Sequence, residues 1–297
     1  MQLEQPIKIL LRRQGAMGDV IIATGIVREL HAKYNGQCTI DISTDFLEVW
    51  ASNPYVNRVF HTSQQPDANK YHLFINLDDT YETSPNVPFV DNYAYRALGN
   101  PKDFDLSPEL YVIDEVTAIV DKFIEEKVKT EFIVIHMRNW HWAMKNIKIE
   151  VWLDVIDKVL AANDTTKIVC VGGATDYCPD GHPRIIDGRG MSLAALAYLL
   201  DHAKCFVGID SAPFHVAGCS ETHIIALLSH MHPENVLPHR NKVRGYNCTV
   251  VQAKVPCLGC HARQQRPIRQ IVCEQGDYPC NRLWDTQEIA DAIIKQL

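Results

Sequence analysis

Short apolar runs alternate with amphipathic stretches along most of this chain, and few folds accommodate that pattern. Ile7 to Leu11 is apolar-rich, a glycine-containing turn follows at Gly15 to Gly18, and Val20 to Tyr34 has helical spacing. Strand, turn and helix in that order open a βαβ unit. Cys38–Ile42, Arg58–His61 and His72–Leu77 read as further strands, with helices at Phe46–Ala51 and Phe89–Leu98. β-Branched residues on both faces of the strands imply a parallel sheet covered on each side. Val116–Val128 reads as a charged helix, and the boundary between two units is expected after Lys129. A second series then runs through strands at Phe132–His136, Ile168–Val171, Cys205–Gly208 and His223–Leu228, with helices at Val151–Ala161, Leu193–His202 and Pro213–Cys219. The expected fold class is α/β: two facing, doubly wound parallel-sheet units, residues 1–129 and 130–297. Ligands of such folds bind where strand C-terminal ends and helix starts converge.

A length of 297 residues suits two units of this kind. No apolar run approaches the 18 residues needed to span a bilayer. The first residues set a charged pair after an apolar patch and lack a small-residue cleavage site, so a cytoplasmic location is expected and the ten cysteines are expected as reduced thiols. Twenty-nine Lys and Arg against thirty-six Asp and Glu give a net charge of −7, which argues against generic binding to nucleic acid or anionic membranes. The charge is uneven. From Asn235 to Cys273 there is no acidic residue, yet Arg240, Lys242, Arg244, Lys254, Arg263, Arg266 and Arg269 fall there. Such a block reads either as a solvated surface or as the footprint of an anionic ligand.

Three segments carry chemistry. Gly15-Ala16-Met17-Gly18-Asp19 lies on the first strand-to-helix turn, where glycines admit a ligand to the backbone. It lacks the third glycine and the spacing of a dinucleotide fingerprint, which disfavours an oxidoreductase. Asp19 reads either as a helix N-cap or as a catalytic carboxylate. Gly208-Ile209-Asp210-Ser211-Ala212-Pro213-Phe214-His215 ends a strand and starts a helix, a place suited to an anion, with His215 one turn on either donating to a phosphate or serving the core. Cys257, Cys260, Cys273 and Cys280 form a C-x2-C-x12-C-x6-C pattern with Gly259 at the turn, which matches a structural site for zinc or iron, with His261 a substitute ligand. Unligated reduced thiols are the other reading.

The segment IKILLRRQGAMGDVIIATGIVREL resembles the N-terminal signature of the ADP-heptose:lipopolysaccharide heptosyltransferases, glycosyltransferase family 9, and SLAALAYLLDHAKCFVGIDSAPFHVAGC resembles that family's donor-site signature. NPYVNRVF and the cysteine-containing end with its final amphipathic helix also fit. The resemblance implies a GT-B fold, inversion at the anomeric carbon in one displacement, and chemistry that needs no metal. It implies Asp19, beside Gly18, as the general base, and Asp210, Ser211 and His215 as contacts to the donor's sugar and diphosphate. Ala212 stands where the family has glycine, which bears on how closely the backbone approaches the phosphates. The family's Lys and Trp element falls on Lys145 and Trp152, with Lys145 neutralising phosphate charge, while Trp140 and His141 replace hydroxyl residues. Asp176, after Gly172-Gly173, is a weaker candidate for a ribose contact.

The expected activity is therefore transfer of a sugar, heptose first, from a nucleoside-diphosphate donor, ADP-heptose first, to a hydroxyl acceptor. The acceptor is a saccharide, a protein side chain or a modified base in nucleic acid, the basic block favouring a polyanion. A non-catalytic nucleotide-sugar-binding module is the rival reading, resting on Ala212. Autotransporter heptosyltransferases, which resemble this family, use a four-cysteine iron site to build an oligomer, and this implies the same role for the four cysteines here.

Overall fold

The computed structural model describes residues 6–84, 86–139, 143–264 and 270–297. Two parallel sheets organise them. The first has four strands, β1 (Ile7–Arg12), β2 (Cys38–Thr44), β3 (Val56–His61) and β4 (Leu73–Asn76), in the order β3-β2-β1-β4. Helix α1 (Met17–Lys33) follows β1, and α2 (Phe89–Ala97) and α3 (Asp114–Phe123) lie between the sheets in sequence. The second sheet has six strands, β5 (Phe132–Ile135), β6 (Lys167–Cys170), β7 (Ile185–Asp187), β8 (Cys205–Ile209), β9 (His223–Leu228) and β12 (Cys248–Gln252), in the order β12-β9-β8-β5-β6-β7. Helices α4 (Ile149–Ala162), α5 (Leu193–Asp201), α6 (Ala212–Gly218), α7 (Pro233–Val236), α8 (Cys260–Gln264) and α9 (Thr286–Ile294) accompany it, and β10 (His239–Arg240) pairs with β11 (Val243–Arg244) as a small hairpin.

The central strands β1, β5 and β8 are apolar on both faces because helices cover each side, as parallel sheets require. One core lies under α4 and α9, on one face of the second sheet. The other is continuous between the halves: Ile9, Leu11 and Ile21 belong to the same apolar cluster as Phe206, Phe214 and Val216. Helix α1 packs on α6 and α3 on α5, so the start of each sheet's site-bearing helix meets the other half.

Several expected elements shift. Helix α1 begins at Met17, not Val20, because Ala16 is its N-cap and Asp19, at the third helical position, closes it from inside. The expected helix at Phe46–Ala51 is one 3-10 turn, Leu47–Trp50, cut short before Ser52 at φ +59° and Pro54. The charged helix keeps α geometry to Phe123, runs on as a wider turn over Ile124–Val128, and stops at Lys129, whose φ is +68°. No helix among the described residues is long and apolar enough to cross a membrane.

Candidate active site

The chemistry-bearing residues gather at the C-terminal ends of the strands. Beyond β1, the Arg13 guanidinium is buried and donates to the Leu77 carbonyl at 3.0 Å, to Asp19 Oδ2 at 2.8 Å and to Glu82 Oε1 at 2.8 Å. Tyr81 and Tyr93 present ring faces to it at 5.2 and 5.5 Å. Against the cost of burial, Asp19 and these rings hold Arg13 charged. Asp19 also accepts from the Ala16 N–H at 2.8 Å and from the Tyr81 hydroxyl at 3.1 Å. Its Oδ2 thus carries three donors, whereas Oδ1 meets Tyr81 alone. Capping and catalysis are compatible here: the carboxylate closes the first turn with one oxygen and keeps lone pairs on the other.

Beyond β8, Asp210 is buried and accepts from Lys145 Nζ at 2.5 Å and from His215 Nε2 at 3.1 Å. Burial alone would raise the Asp210 carboxyl, but Lys145 and His215 outweigh it and hold that group well below the usual carboxylate range. Ser211 stands in an extended conformation before α6, and its Oγ lies 3.0 Å from His136 Nδ1 and from the Ile209 carbonyl. His136, the residue after β5, donates through Nε2 to Asp176 Oδ2 at 3.1 Å, which makes Nδ1 an acceptor. Burial pushes the His136 imidazole down despite Asp176. Asp176 accepts in addition from the Asn139 and Gly173 N–H groups, both at 2.8 Å, so its carboxylate is engaged within the protein. Gly172 is required for this approach, since a methyl there would stand 2.3 Å from Asp176 Oδ2. Arg138 is within electrostatic reach of both Asp210 and Asp176.

These clusters meet at Gly18. A methyl on Gly18 would stand 2.5 Å from His215 Cδ2, so the backbone beside Asp19 lies directly on the ring that holds Asp210. The structure thus brings Gly18, Asp19, Lys145, Asp176, Asp210, Ser211 and His215 to one region. Ala212 opens α6 with helical backbone, a conformation any residue adopts, so its methyl strains nothing. Trp152 belongs to the core under α4. Trp140 and His141 lie outside the described residues. Sequence reasoning missed Arg13, Tyr81, His136 and Arg138; His136 closes a predicted strand, which was the available signal.

The basic block does not form an anion-binding face among its described residues. Arg240 is buried and donates to the carbonyls of Ala217, Gly218 and Thr222. Arg244 pairs with Asp91, Lys254 with Glu288 and Arg263 with Glu274, carboxylates that come from outside the block. Arg266 and Arg269 lie outside the described residues.

Cys257, Cys260, Cys273 and Cys280 share one patch. Burial first, then Cys257 and Cys280, push the Cys260 thiol up to about 11; burial, Cys257 and Cys273 raise that of Cys280. Among the described residues no three His, Cys, Asp or Glu side chains stand close enough together to hold an ion. Cys280 packs into the core under α9, while Cys260 packs with Met144 and Ile271, and this divides the set. All ten cysteines are free thiols.

A family model described as glycosyltransferase family 9 (heptosyltransferase) matches residues 131–266. The lipopolysaccharide heptosyltransferase 3 of Escherichia coli is 21% identical, over 71% of this chain and 80% of that protein. The chain is a heptosyltransferase-like glycosyltransferase. Among solved structures, a family 9 glycosyl transferase from Veillonella parvula superposes with a TM-score of 0.74 at 14% identity, covering 100% of this chain and 98% of that one. The dodecameric iron-containing glycosyltransferase TibC of enterotoxigenic E. coli does so at 0.71 and 14%, covering 100% and 77%. TibC has also been solved in complex with ADP-D-β-D-heptose. These likenesses establish the GT-B fold, in agreement with the two parallel sheets.

Proposed function

We propose that this glycosyltransferase moves heptose from ADP-heptose to a hydroxyl acceptor with inversion, residues 1–129 serving the acceptor and 130–297 the donor. One observation carries the reading: the Asp19 turn lies directly on His215, and His215 ties into the Lys145–Asp210 pair. A carboxylate with an available oxygen then faces the Lys145 ammonium and the start of α6, a setting suited to a diphosphate. Asp19 Oδ1 accepts the acceptor's hydroxyl proton as the acceptor's own oxygen bonds to the anomeric carbon. The bond from that carbon to the diphosphate breaks, and ADP leaves with additional negative charge. Lys145 and the N–H groups at the start of α6, beside Ser211, stabilise it, while Asp210 fixes the positions of Lys145 and His215. Gly18 and Ala212 shape the walls, and Asp176 steadies His136 beneath Ser211, with a ribose contact a secondary role. The ADP-heptose complex of TibC supports the choice of donor.

The acceptor class follows from the same experiment that tests the activity. ADP release from ADP-heptose is measured with oligosaccharide, peptide and DNA acceptors, using wild type and Asp19→Asn. Release with a saccharide, lowered about 10²-fold or more in the variant, is the expected result. Full activity in the variant removes Asp19 from the base role, and turnover on DNA alone selects the modified-base reading.

A structural zinc or iron at Cys257, Cys260, Cys273 and Cys280 completes the proposal, supported by the gathering of four thiols and by the iron in TibC. Ligation requires the sulfurs to draw closer than they stand. Elemental analysis and sedimentation test metal content and homo-oligomer formation together.

A further inference from the structure

The cysteine turn reaches the candidate active site. Gly259, at φ +65°, forms its corner, and two backbone hydrogen bonds pin it to the chain just beyond β9: Gly259 N–H to the Ser229 carbonyl at 2.8 Å and His261 N–H to the His230 carbonyl at 3.1 Å. The turn therefore sits on the same edge of the second sheet as Asp210 beyond β8 and His136 beyond β5, the edge where such folds hold ligands. His261 is carried inward from it. The side chain has no exposed surface, and neither ring nitrogen has a hydrogen-bond partner among the described residues. Phe89 of the first half stands edge-on to the imidazole, with centroids 6.3 Å apart, and the charges of Lys145 and Asp210 reach it from the second half.

A buried imidazole with both nitrogens unpaired is costly and rare in native proteins, and an apolar side chain would fill the same space without that cost. An imidazole in its ordinary form at neutral pH offers one donor and one acceptor. A phosphate only accepts hydrogen bonds. A sugar hydroxyl both donates and accepts, which matches a neutral imidazole.

We infer that His261 is a sugar-recognition residue, hydrogen-bonding a hydroxyl of the sugar carried by the nucleoside diphosphate, with the cysteine turn serving to deliver it into the cleft. This rests on the transferase reading above and deepens it.

Calorimetric titration of full-length protein with ADP and with ADP-heptose provides the test. His261→Ala is expected to weaken ADP-heptose about tenfold, the worth of one neutral hydrogen bond, and to leave ADP within about twofold of wild type. His261→Gln, which retains a donor and an acceptor, recovers part of the loss. Wild-type protein supplies a variant-free readout: the 15N resonances of the His261 ring shift on adding ADP-heptose and stay in place with ADP. Equal weakening of both ligands, no weakening of either, or 15N shifts that do not distinguish them overturns the inference and leaves the donor reading standing. Binding of neither ligand by wild type overturns both.

Discussion

Replacing Gly18 by alanine tests the contact on which the two-sided site depends. The added methyl would stand 2.5 Å from His215 Cδ2 and 3.2 Å from Nε2. Ordinary contact between carbons is about 3.5–4.0 Å, so either ring or helix must give by roughly 1 Å. His215 is only 4% exposed and cannot swing into solvent. Its Nε2 donates to Asp210 at 3.1 Å, and a shift of that size takes the bond beyond hydrogen-bond range. Overpacking costs about 1–3 kcal/mol, and a hydrogen bond to a charged group contributes about 1.5–3 kcal/mol. Because the movement that relieves the first breaks the second, the two do not add in full, and a loss of about 3 kcal/mol is expected. Urea unfolding reads the stability, and calorimetry with ADP reads the site, where weakening of about tenfold or more is expected. An unchanged unfolding midpoint together with unchanged ADP affinity would mean that α1 and α6 do not meet at this point.

The other predictions concern charge. Lys145→Met removes the partner of a buried carboxylate 2.5 Å away; about 3 kcal/mol of stability and at least 10²-fold in ADP release should go with it, and wild-type turnover would contradict the role of Lys145. Arg240→Met strips donors from three buried carbonyls and should lower the unfolding free energy read from urea titration by about 3 kcal/mol, while duplex DNA fails to bind tightly at about 0.15 M salt with or without it; firm, steeply salt-dependent binding would restore the polyanion reading. Acid should destabilise the fold in two stages. Burial and then Lys145 push the His230 imidazole down to about 3, and burial and then Arg244 push His239 down to about 4. Below about pH 6.5 the unfolded chain takes protons these folded histidines refuse, so stability is whole above that pH and falls by up to about 1.4 kcal/mol per unit for each as the pH drops toward 4. Asp210 acts lower, because its depressed folded value means its contribution is full above about pH 3.9 and lost as the pH falls further. A flat urea midpoint between pH 7 and 5 would contradict the buried neutral histidines.

Both parallel sheets were legible because β1, β5, β8 and β9 are apolar runs bounded by turns, and the period of the intervening helices is unambiguous. The edge strands of the second sheet were not. β7 has three residues, and β12 was hidden in a stretch whose positive charges drew the eye away from Thr249, Val250 and Val251. The site was partly legible. Asp19, Asp210 and His215 stand out because they lie where strand ends meet helix starts, the place such folds hold ligands. Arg13, Tyr81 and Arg138 are invisible to spacing, since their partners lie on distant segments: Arg13 meets Glu82 across 69 positions, and Arg138 faces both Asp176 and Asp210. The basic block misled for the same reason. A run of positive charge in sequence says nothing of the carboxylates at Asp91, Glu274 and Glu288 that fold back on it.

A crystal structure of this protein with ADP-heptose bound tests the central claim most directly. The account predicts the diphosphate beside Lys145 and His215, within hydrogen-bond reach of Ser211, and the anomeric carbon turned toward Asp19. A nucleotide seated elsewhere, or a sugar whose anomeric face is turned away from the Asp19 carboxylate, would contradict it.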